Sequence, residues 1–213
     1  MISNAIFNNY FNSLLSGDRD KCQQIVLQLL KQETHFRDCY IKLFHNSLYR
    51  IGRLWEENKI SIATEHLVTN ITENIIANLN PSMHARSATG QKIVITCCEN
   101  EFHSVGARIV SDYFELNGWQ VYLLGANTPL RDLLLFLQEY KPDVCGISAT
   151  MPQNLQNLAS TISAIRNLFP KMKMIVGGQA FEDAPFVPDN LMQNVIYLRN
   201  LEEVEMFIIQ SSV

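Results

Sequence analysis

Apolar side chains recur every three or four residues through the first part of the chain, which predicts amphipathic helices. We expect a helix over Asn4–Leu15 and a second helix that begins after a cap at Asp18. A third is expected from about Phe36 to Glu57, and a fourth over Ser61–Leu79 with the serine as its N-cap. Four helices joined by short loops predict a bundle over residues 1–80.

Residues 81–90 carry no apolar period and are rich in Pro, Ser, Ala and Gly, which is typical of a linker. From residue 91 to residue 213, short apolar runs alternate with helical stretches. We expect strands at Lys92–Cys97, Gln120–Leu124, Val144–Ser148, Met172–Val176 and Val195–Leu198, and helices at about Ser104–Asn117, Leu130–Tyr140, Asn154–Phe169 and Leu201–Gln210. Strands separated by helices predict a parallel sheet that is covered on both faces. The predicted fold is therefore α plus α/β, with a four-helix bundle followed by a flavodoxin-like (Rossmann-like) domain of five parallel strands.

Composition agrees with a globular protein, since 47% of the residues are hydrophobic and 18% are charged. No apolar run approaches the roughly 18 residues of a transmembrane helix, and the N-terminus lacks the pattern of a signal peptide, so we expect a cytoplasmic protein without a membrane partner. The net charge of −4 and the absence of a basic run argue against nucleic-acid binding. The five cysteines form no C-x-x-C pair, which predicts buried thiols rather than disulfides or a zinc site.

Polar and glycine-rich loops follow four of the predicted strands. They are Glu99–Gly106, Gly125–Pro129, Ser148–Met151 and Gly177–Gln179. Because the carboxyl ends of parallel strands meet at one edge of the sheet, where α/β proteins bind their ligands, these loops predict a binding site.

His103 is the candidate metal ligand in the loop after the first strand. Glu101 lies two residues earlier, so its carboxylate can accept a hydrogen bond from one ring nitrogen while the other nitrogen binds a metal. Gly106 permits a bulky group to approach the backbone. A lone loop histidine is more often a surface or hydrogen-bonded residue than a ligand, so the surrounding motifs decide between the two interpretations.

The E-x-H-x-x-G pattern of Glu101, His103 and Gly106 closely resembles the motif of the cobalamin-binding domain family. The similarity covers roughly residues 90–185 and includes the S-x-T segment at Ser148, the glycine pair at Gly177 and a "GW…LGxxxP" stretch from Gly118 to Pro129. In that family the histidine replaces the cofactor's own base on cobalt, and the freed nucleotide tail enters a slot beside the sheet. The resemblance implies that His103 is the cobalt ligand and that the cofactor is contacted by Glu101, Phe102, Ser104, Val105, Gly106, Leu124, Gly125, Ala126, Asn127, Thr128, Ser148, Ala149, Thr150, Gly177 and Gly178.

The helical half resembles the cap that precedes this domain in methionine synthases, corrinoid methyl carriers and light-sensing cobalamin repressors. Trp55, Glu65 and His66 form the W-x9-E-H pattern of adenosylcobalamin-binding photoreceptors of the CarH type, in which the three residues pack around the 5′-deoxyadenosyl group. This pattern favours adenosylcobalamin over methylcobalamin. Glu56 stands where the best-known members have a histidine, so a second histidine ligand after photolysis is not expected from that position.

Three functions remain open from the sequence. The leading hypothesis is an adenosylcobalamin-binding light sensor or signalling module that acts through a protein partner or a change of homo-oligomer, without direct DNA binding because no helix-turn-helix precedes the helical segment. The second is a corrinoid methyl carrier, and the third is a sensor of haem or another tetrapyrrole. In each case no independent enzymatic cycle is expected, since no nucleophile–base arrangement is found.

Overall fold

The computed structural model describes residues 2–32, 34, 36–79, 87–181 and 195–211. The chain divides into two compact units, Met1–Ser82 and Met83–Val213. Residues 81–86 of the linker predicted at residues 81–90 lie outside the described residues.

The first unit is helical, as the apolar period predicts. Its α-helices are α1 (Asn4–Leu15), α2 (Arg19–Lys31), α3 (Phe36–Cys39), α4 (Asn46–Glu56) and α5 (Ile62–Leu79). Asp18 caps α2 by accepting a hydrogen bond from the Lys21 amide at 3.1 Å, and Ser61 caps α5 by accepting one from the Thr64 amide at 3.1 Å. The caps expected at Asp18 and Ser61 are therefore confirmed.

The helix expected from Phe36 to Glu57 is interrupted by a π-helical segment, Tyr40–His45, between α3 and α4. A π-helical turn holds one more residue than an α-helical turn, so it shifts the faces that the two flanking segments present. Tyr40, Leu43 and Phe44 are all fully buried in this segment. The apolar pattern predicts the helix but does not distinguish the two kinds of turn, because tertiary packing selects between them.

Aromatic side chains form the centre of the helical unit. The ring centroids of Tyr10 and Phe44 are 6.1 Å apart, and those of Tyr40 and Phe44 are 5.7 Å apart in an edge-to-face arrangement. At the margin of this core, the Arg50 guanidinium lies 4.2 Å from the centre of the Phe11 ring.

The second unit is a five-stranded parallel sheet with helices, which confirms the flavodoxin-like prediction. Its strands are β1 (Lys92–Cys97), β2 (Gln120–Gly125), β3 (Val144–Ser148), β4 (Lys173–Gly177) and β5 (Val195–Tyr197), and its helices are α6 (Val105–Leu116), α7 (Leu130–Tyr140), α8 (Leu155–Leu168) and α9 (Leu201–Ser211). The strand order is β2-β1-β3-β4-β5, and every neighbouring pair is parallel. This is the order of doubly wound flavodoxin-like sheets.

Apolar side chains of the central strands form the core of this unit. On one face, Val94 and Ile147 belong to a buried cluster with Leu133 of α7 and Ile162 of α8. The five cysteines are buried thiols, as expected. Short 3-10 turns at Pro152–Asn154 and Gln179–Phe181 were not expected from the sequence. No helix in the described part of the chain is long and apolar enough to cross a membrane.

Candidate functional site

The strand order creates a crevice at the carboxyl ends of β1 and β3. The chain leaves β1 toward β2 on one side and leaves β3 toward β4 on the other, so the connections diverge between the two neighbouring strands. Ligands of doubly wound sheets bind at this point of divergence. The residues that follow β1, including Glu101 and His103, and the residues that follow β3, including Thr150, therefore border the place where a ligand is expected.

His103 and Glu101 are in close polar contact in the loop that borders this crevice. The Nδ1 atom of His103 lies 2.5 Å from Oε1 of Glu101, and the His103 main-chain amide donates to the same oxygen at 3.0 Å. The His103 side chain is 50% exposed, whereas that of Glu101 is completely buried. A buried carboxylate thus holds an imidazole that extends toward solvent.

The second oxygen of Glu101 accepts three further hydrogen bonds. The donors are the main-chain amides of Thr150 at 2.8 Å and Met151 at 2.9 Å, and the side-chain amide of Asn154 at 3.0 Å. Burial alone would raise the pKa of Glu101, but the hydrogen bonds from His103, Asn154 and the main chain outweigh it and lower the pKa to about 2. Glu101 is therefore an anion at neutral pH, although it is buried.

The charge on Glu101 determines which nitrogen of His103 can bind a metal. An ionised carboxylate only accepts hydrogen bonds, so the proton of the neutral imidazole is placed on Nδ1 by the hydrogen-bond partner. The lone pair of that tautomer is on Nε2, and a carboxylate partner increases the basicity of the ring. The pair has the chemistry of a metal ligand supported by a second residue.

Asn154 belongs to this arrangement but was not among the residues predicted from the sequence. Its Nδ2 atom donates to Glu101 and also, at 3.1 Å, to the carbonyl oxygen of Asn100. It is 5% exposed and ends the 3-10 turn that precedes α8. The sequence does contain one signal for this residue, which is an asparagine directly before a helix in the loop after a central strand. That pattern does not identify which other loop the side chain contacts.

The four glycines of the predicted site fall into two classes. A Cβ atom built on Gly106 or Gly125 would meet no atom within 4 Å, so the backbone is open to a large ligand at both positions. A Cβ atom on Gly177 would lie 3.0 Å from the carbonyl oxygen of Leu198, and one on Gly178 only 2.1 Å from that of Ala149. Gly178 is therefore required by the protein's own backbone, and little room is left for a side chain at Gly177.

The other predicted contact residues of this unit differ in accessibility. Phe102 is 68% exposed, while Val105 and Ala149 are buried in the core. Ala126 is exposed, whereas the remaining predicted contacts are partly buried, namely Ser104, Leu124, Thr128, Ser148 and Thr150. Thr128 also connects the loop after β2 to strand β1, because its hydroxyl lies 2.7 Å from that of the fully buried Thr96.

In the helical unit, Trp55 lies at the end of α4, and Glu65 and His66 lie in the first turns of α5. Trp55 is 37% exposed. One oxygen of Glu65 accepts a hydrogen bond from the Thr69 hydroxyl at 2.8 Å, and the other lies 3.7 Å from Nε2 of the exposed His66. The turn between α4 and α5 brings the three predicted residues to the same end of the helical unit. Thr69, which orients Glu65, was not predicted.

Two family profiles match the chain. Residues 91–193 match a profile described as a B12 binding domain, and residues 6–80 match a second profile with the same description. Between them, the two profiles include most of both units.

The curated relatives with similar sequences include proteins of two kinds. The HTH-type transcriptional repressor CarH of Myxococcus xanthus is 26% identical over 147 residues, which are 68% of this chain and 48% of the repressor. The chain thus spans about half the length of that relative. The dimethylamine corrinoid protein of Methanosarcina barkeri is 29% identical over 183 residues, which are 84% of this chain and 85% of the relative.

Solved structures show the same fold. The monomethylamine corrinoid protein of Methanosarcina barkeri superposes with a TM-score of 0.80 at 16% identity, and the match covers 98% of this chain and 100% of the other. The methanol:cobalamin methyltransferase complex of the same organism superposes with a TM-score of 0.51 at 16% identity. The resemblance noted in the sequence is confirmed by these matches in sequence and fold.

Proposed function

We propose that this chain, which belongs to the B12-binding domain family and binds cobalamin, holds the cofactor in its adenosyl form with His103 as the protein ligand to cobalt. The observation that carries the ligand assignment is the hydrogen bond of 2.5 Å between Nδ1 of His103 and the buried carboxylate of Glu101. The haem alternative has no comparable support, because both family profiles describe B12 binding.

The residues of the crevice fit a metal that is carried by a macrocycle. Within the described ranges, no group of three or more His, Cys, Asp or Glu side chains could hold a bare metal ion. A corrin ring supplies four nitrogen ligands itself, so one imidazole from the protein is sufficient. The open backbone at Gly106 and Gly125 supports the approach of so large a ring.

The bound cofactor would supply a cobalt–carbon bond, and the protein would determine how that bond is held and exposed. His103 would bind cobalt through Nε2, and Glu101 would hold the imidazole in the tautomer that permits this bond. The amides of Thr150 and Met151, together with Asn154, would keep the Glu101 carboxylate in place, since all three donate to its second oxygen.

Residues of the helical unit support the adenosyl form. A partly exposed indole such as that of Trp55 offers a flat apolar surface for the adenine ring. Glu65, oriented by Thr69, offers a carboxylate that can accept hydrogen bonds from ribose hydroxyls. A methyl group as upper ligand would use neither feature, which is the physical reason for preferring adenosylcobalamin.

The ligand assignment is tested by electron paramagnetic resonance of the cob(II)alamin-loaded protein, produced with histidine labelled with ¹⁵N. A labelled imidazole on cobalt splits each cobalt line into two, whereas the unlabelled base of the cofactor splits it into three. We expect the two-line pattern in the wild type and in His45→Ala, which removes an exposed imidazole elsewhere, and its loss in His103→Ala. A three-line pattern in the wild type would show that the cofactor keeps its own base.

The sensor hypothesis is tested by loading adenosylcobalamin in the dark and illuminating with green light. We expect the visible spectrum to change and the oligomeric state, or the binding of a protein partner, to change with it. An unchanged spectrum and oligomer size after illumination would exclude light sensing.

The preference for the adenosyl form is tested separately at Thr69. Thr69→Val preserves the shape of the side chain but removes the hydrogen bond to Glu65, so it should lower the preference for adenosylcobalamin over methylcobalamin by roughly three- to tenfold.

The second candidate function is a corrinoid methyl carrier, acting as the cobalamin-binding subunit beside a methyltransferase. The supporting observation is the alignment with a dimethylamine corrinoid protein over 84% of this chain and 85% of that relative. The carrier hypothesis predicts methylcobalamin formation on the reduced, cobalamin-loaded chain when a methylamine methyltransferase and its substrate are added. It further predicts that Trp55→Ala leaves this transfer unchanged.

A further inference from the structure

Asn100 and Asn127 form a reciprocal connection between the loop after β1 and the loop after β2. The Asn100 amide donates to Oδ1 of Asn127 at 2.9 Å, and the Asn127 amide donates to the Glu101 carbonyl oxygen at 2.8 Å. Both asparagines have left-handed backbone conformations, with φ of 67° and 49°. Two hydrogen bonds in opposite directions thus join the loops next to the Glu101–His103 pair.

The side chain of Asn127 suits this position for two reasons. Asparagine tolerates the left-handed region better than most other residues, and its short side chain presents an acceptor close to its own backbone. The hydrogen bonds that hold the Glu101 carboxylate do not involve Asn127, because they come from His103 and from the chain after β3, including Asn154. Asn127 therefore holds the backbone of Glu101, while the other contacts hold its carboxylate.

The backbone of Glu101 determines where His103 lies, because only Phe102 separates the two residues. If the connection to Asn127 were removed, the backbone of Asn100 and Glu101 could shift from its present conformation, and the imidazole would be held less firmly in one direction. A ligand bond requires its donor atom to be held within a few tenths of an ångström, roughly 0.5 Å. The contact with Asn127 is well placed to provide that restraint before any cofactor binds.

We propose that Asn127 is a positioning residue for the cobalt ligand, acting through the Asn100–Glu101 backbone rather than through direct contact with the cofactor. This inference rests on the proposed role of His103 as the cobalt ligand. It assigns to Asn127 a role other than the cofactor contact that the sequence implies, since the oxygen of its side chain is engaged by the Asn100 amide.

The test compares three substitutions. Asn127→Gly removes the acceptor and keeps the left-handed backbone accessible, Asn127→Asp retains an acceptor oxygen, and Lys141→Gly alters another left-handed position at the end of α7. In the cobalamin-free protein, amide hydrogen exchange of Asn100 is measured by NMR. In the loaded protein, the fraction of cobalt bound by ¹⁵N-labelled histidine and the dissociation constant for cobalamin are measured.

We expect Asn127→Gly to speed exchange of the Asn100 amide at least tenfold, to lower the histidine-bound fraction at least twofold, and to weaken cobalamin binding about tenfold. Asn127→Asp should restore slow exchange and most of the histidine coordination, and Lys141→Gly should match the wild type in all three measurements. A histidine-bound fraction in Asn127→Gly equal to that of the wild type would overturn the inference, as would an aspartate variant that behaves like the glycine variant. Global unfolding of Asn127→Gly would also overturn it, because the residue would then support the fold as a whole.

Failure of the proposed function has a separate signature. If the wild type itself shows no coupling to labelled histidine, the ligand assignment fails and the inference fails with it. If the wild type shows the coupling and the glycine variant keeps it, only the inference about Asn127 fails.

Discussion

Gly178 lies so close to Ala149 that a Cβ atom on the glycine would stand 2.1 Å from the alanine carbonyl oxygen. Gly178 also has a φ of 115°, which residues other than glycine rarely adopt. The contact joins the end of β4 to the loop after β3, which borders the candidate site. Gly178 is therefore needed to build the candidate site, whatever occupies it.

Gly178→Ala should destabilise the cobalamin-free protein by about 2–4 kcal/mol, because the new methyl group would clash with backbone atoms and the backbone conformation would be strained. Urea unfolding of the two proteins without cofactor measures the change. If the variant unfolds at the same urea concentration as the wild type, Gly178 does not lie close to the Ala149 carbonyl oxygen.

Gly106→Ala, in contrast, should weaken cobalamin binding without lowering the stability of the protein. A Cβ atom there would meet nothing within 4 Å, and alanine favours a helix over glycine, so the unfolding free energy should stay constant or rise by up to about 1 kcal/mol. Cobalamin binding should nevertheless weaken by roughly tenfold, because the methyl group would occupy space next to the His103 loop. Titration with cobalamin and urea unfolding together separate this effect from instability, and equal affinity in both proteins would show that the cofactor does not approach Gly106.

The Glu101 carboxylate should make stability depend on pH in the acid range. Its pKa in the folded protein is about 2, lowered from an ordinary value of 4.5, so its stabilising contribution is complete above pH 4.5 and is lost as the pH falls toward 2. At about 1.4 kcal/mol per pH unit, the loss amounts to about 3 kcal/mol. Unfolding free energies of the wild type and Glu101→Gln, measured from pH 7 to pH 2.5, should differ by about this amount at neutral pH and converge in acid. A constant difference over this range would contradict the assignment.

Asn154→Asp should destabilise the protein at neutral pH more than Asn154→Ala does. The alanine variant only removes a donor to Glu101, at a cost of about 1–3 kcal/mol. The aspartate variant places a second carboxylate where the amide now donates at 3.0 Å, and two carboxylates at that distance repel. The aspartate variant should regain stability relative to the alanine variant as the pH falls and a proton is shared between the two groups. Urea unfolding at pH 7 and pH 4 gives the comparison, and equal stability of the two variants at pH 7 would argue against an ionised Glu101.

The five cysteines should be unreactive in the folded protein. Burial raises the pKa of the Cys97, Cys98 and Cys145 thiols to about 12, with Glu101 adding to the effect at the first two. Burial also raises the pKa of Cys22 to about 12 and that of Cys39 to about 11. A thiol-specific reagent at pH 8 should therefore modify almost no cysteine before unfolding and all five in denaturant. Rapid reaction of one thiol in the native state would show that its burial is wrong.

The sequence determines most of the fold, because the signals that specify it are local. The boundaries of β1, β3 and α7 follow from runs of apolar residues between turn residues, and the caps at Asp18 and Ser61 depend on hydrogen bonds to amides three residues away. The approximate place of the site follows as well, because parallel strands bring their carboxyl ends to one edge.

Only the tertiary structure decides what the site residues do for one another. The partners of Glu101 include Thr150 and Asn154, which lie about fifty residues away in sequence, and Asn127 reaches the same loop from the chain after a different strand. The π-helical turn at Tyr40–His45 is likewise selected by packing. Contacts between distant segments depend on the relative placement of whole strands and helices, whereas an apolar period or a motif records only the near neighbours of each residue.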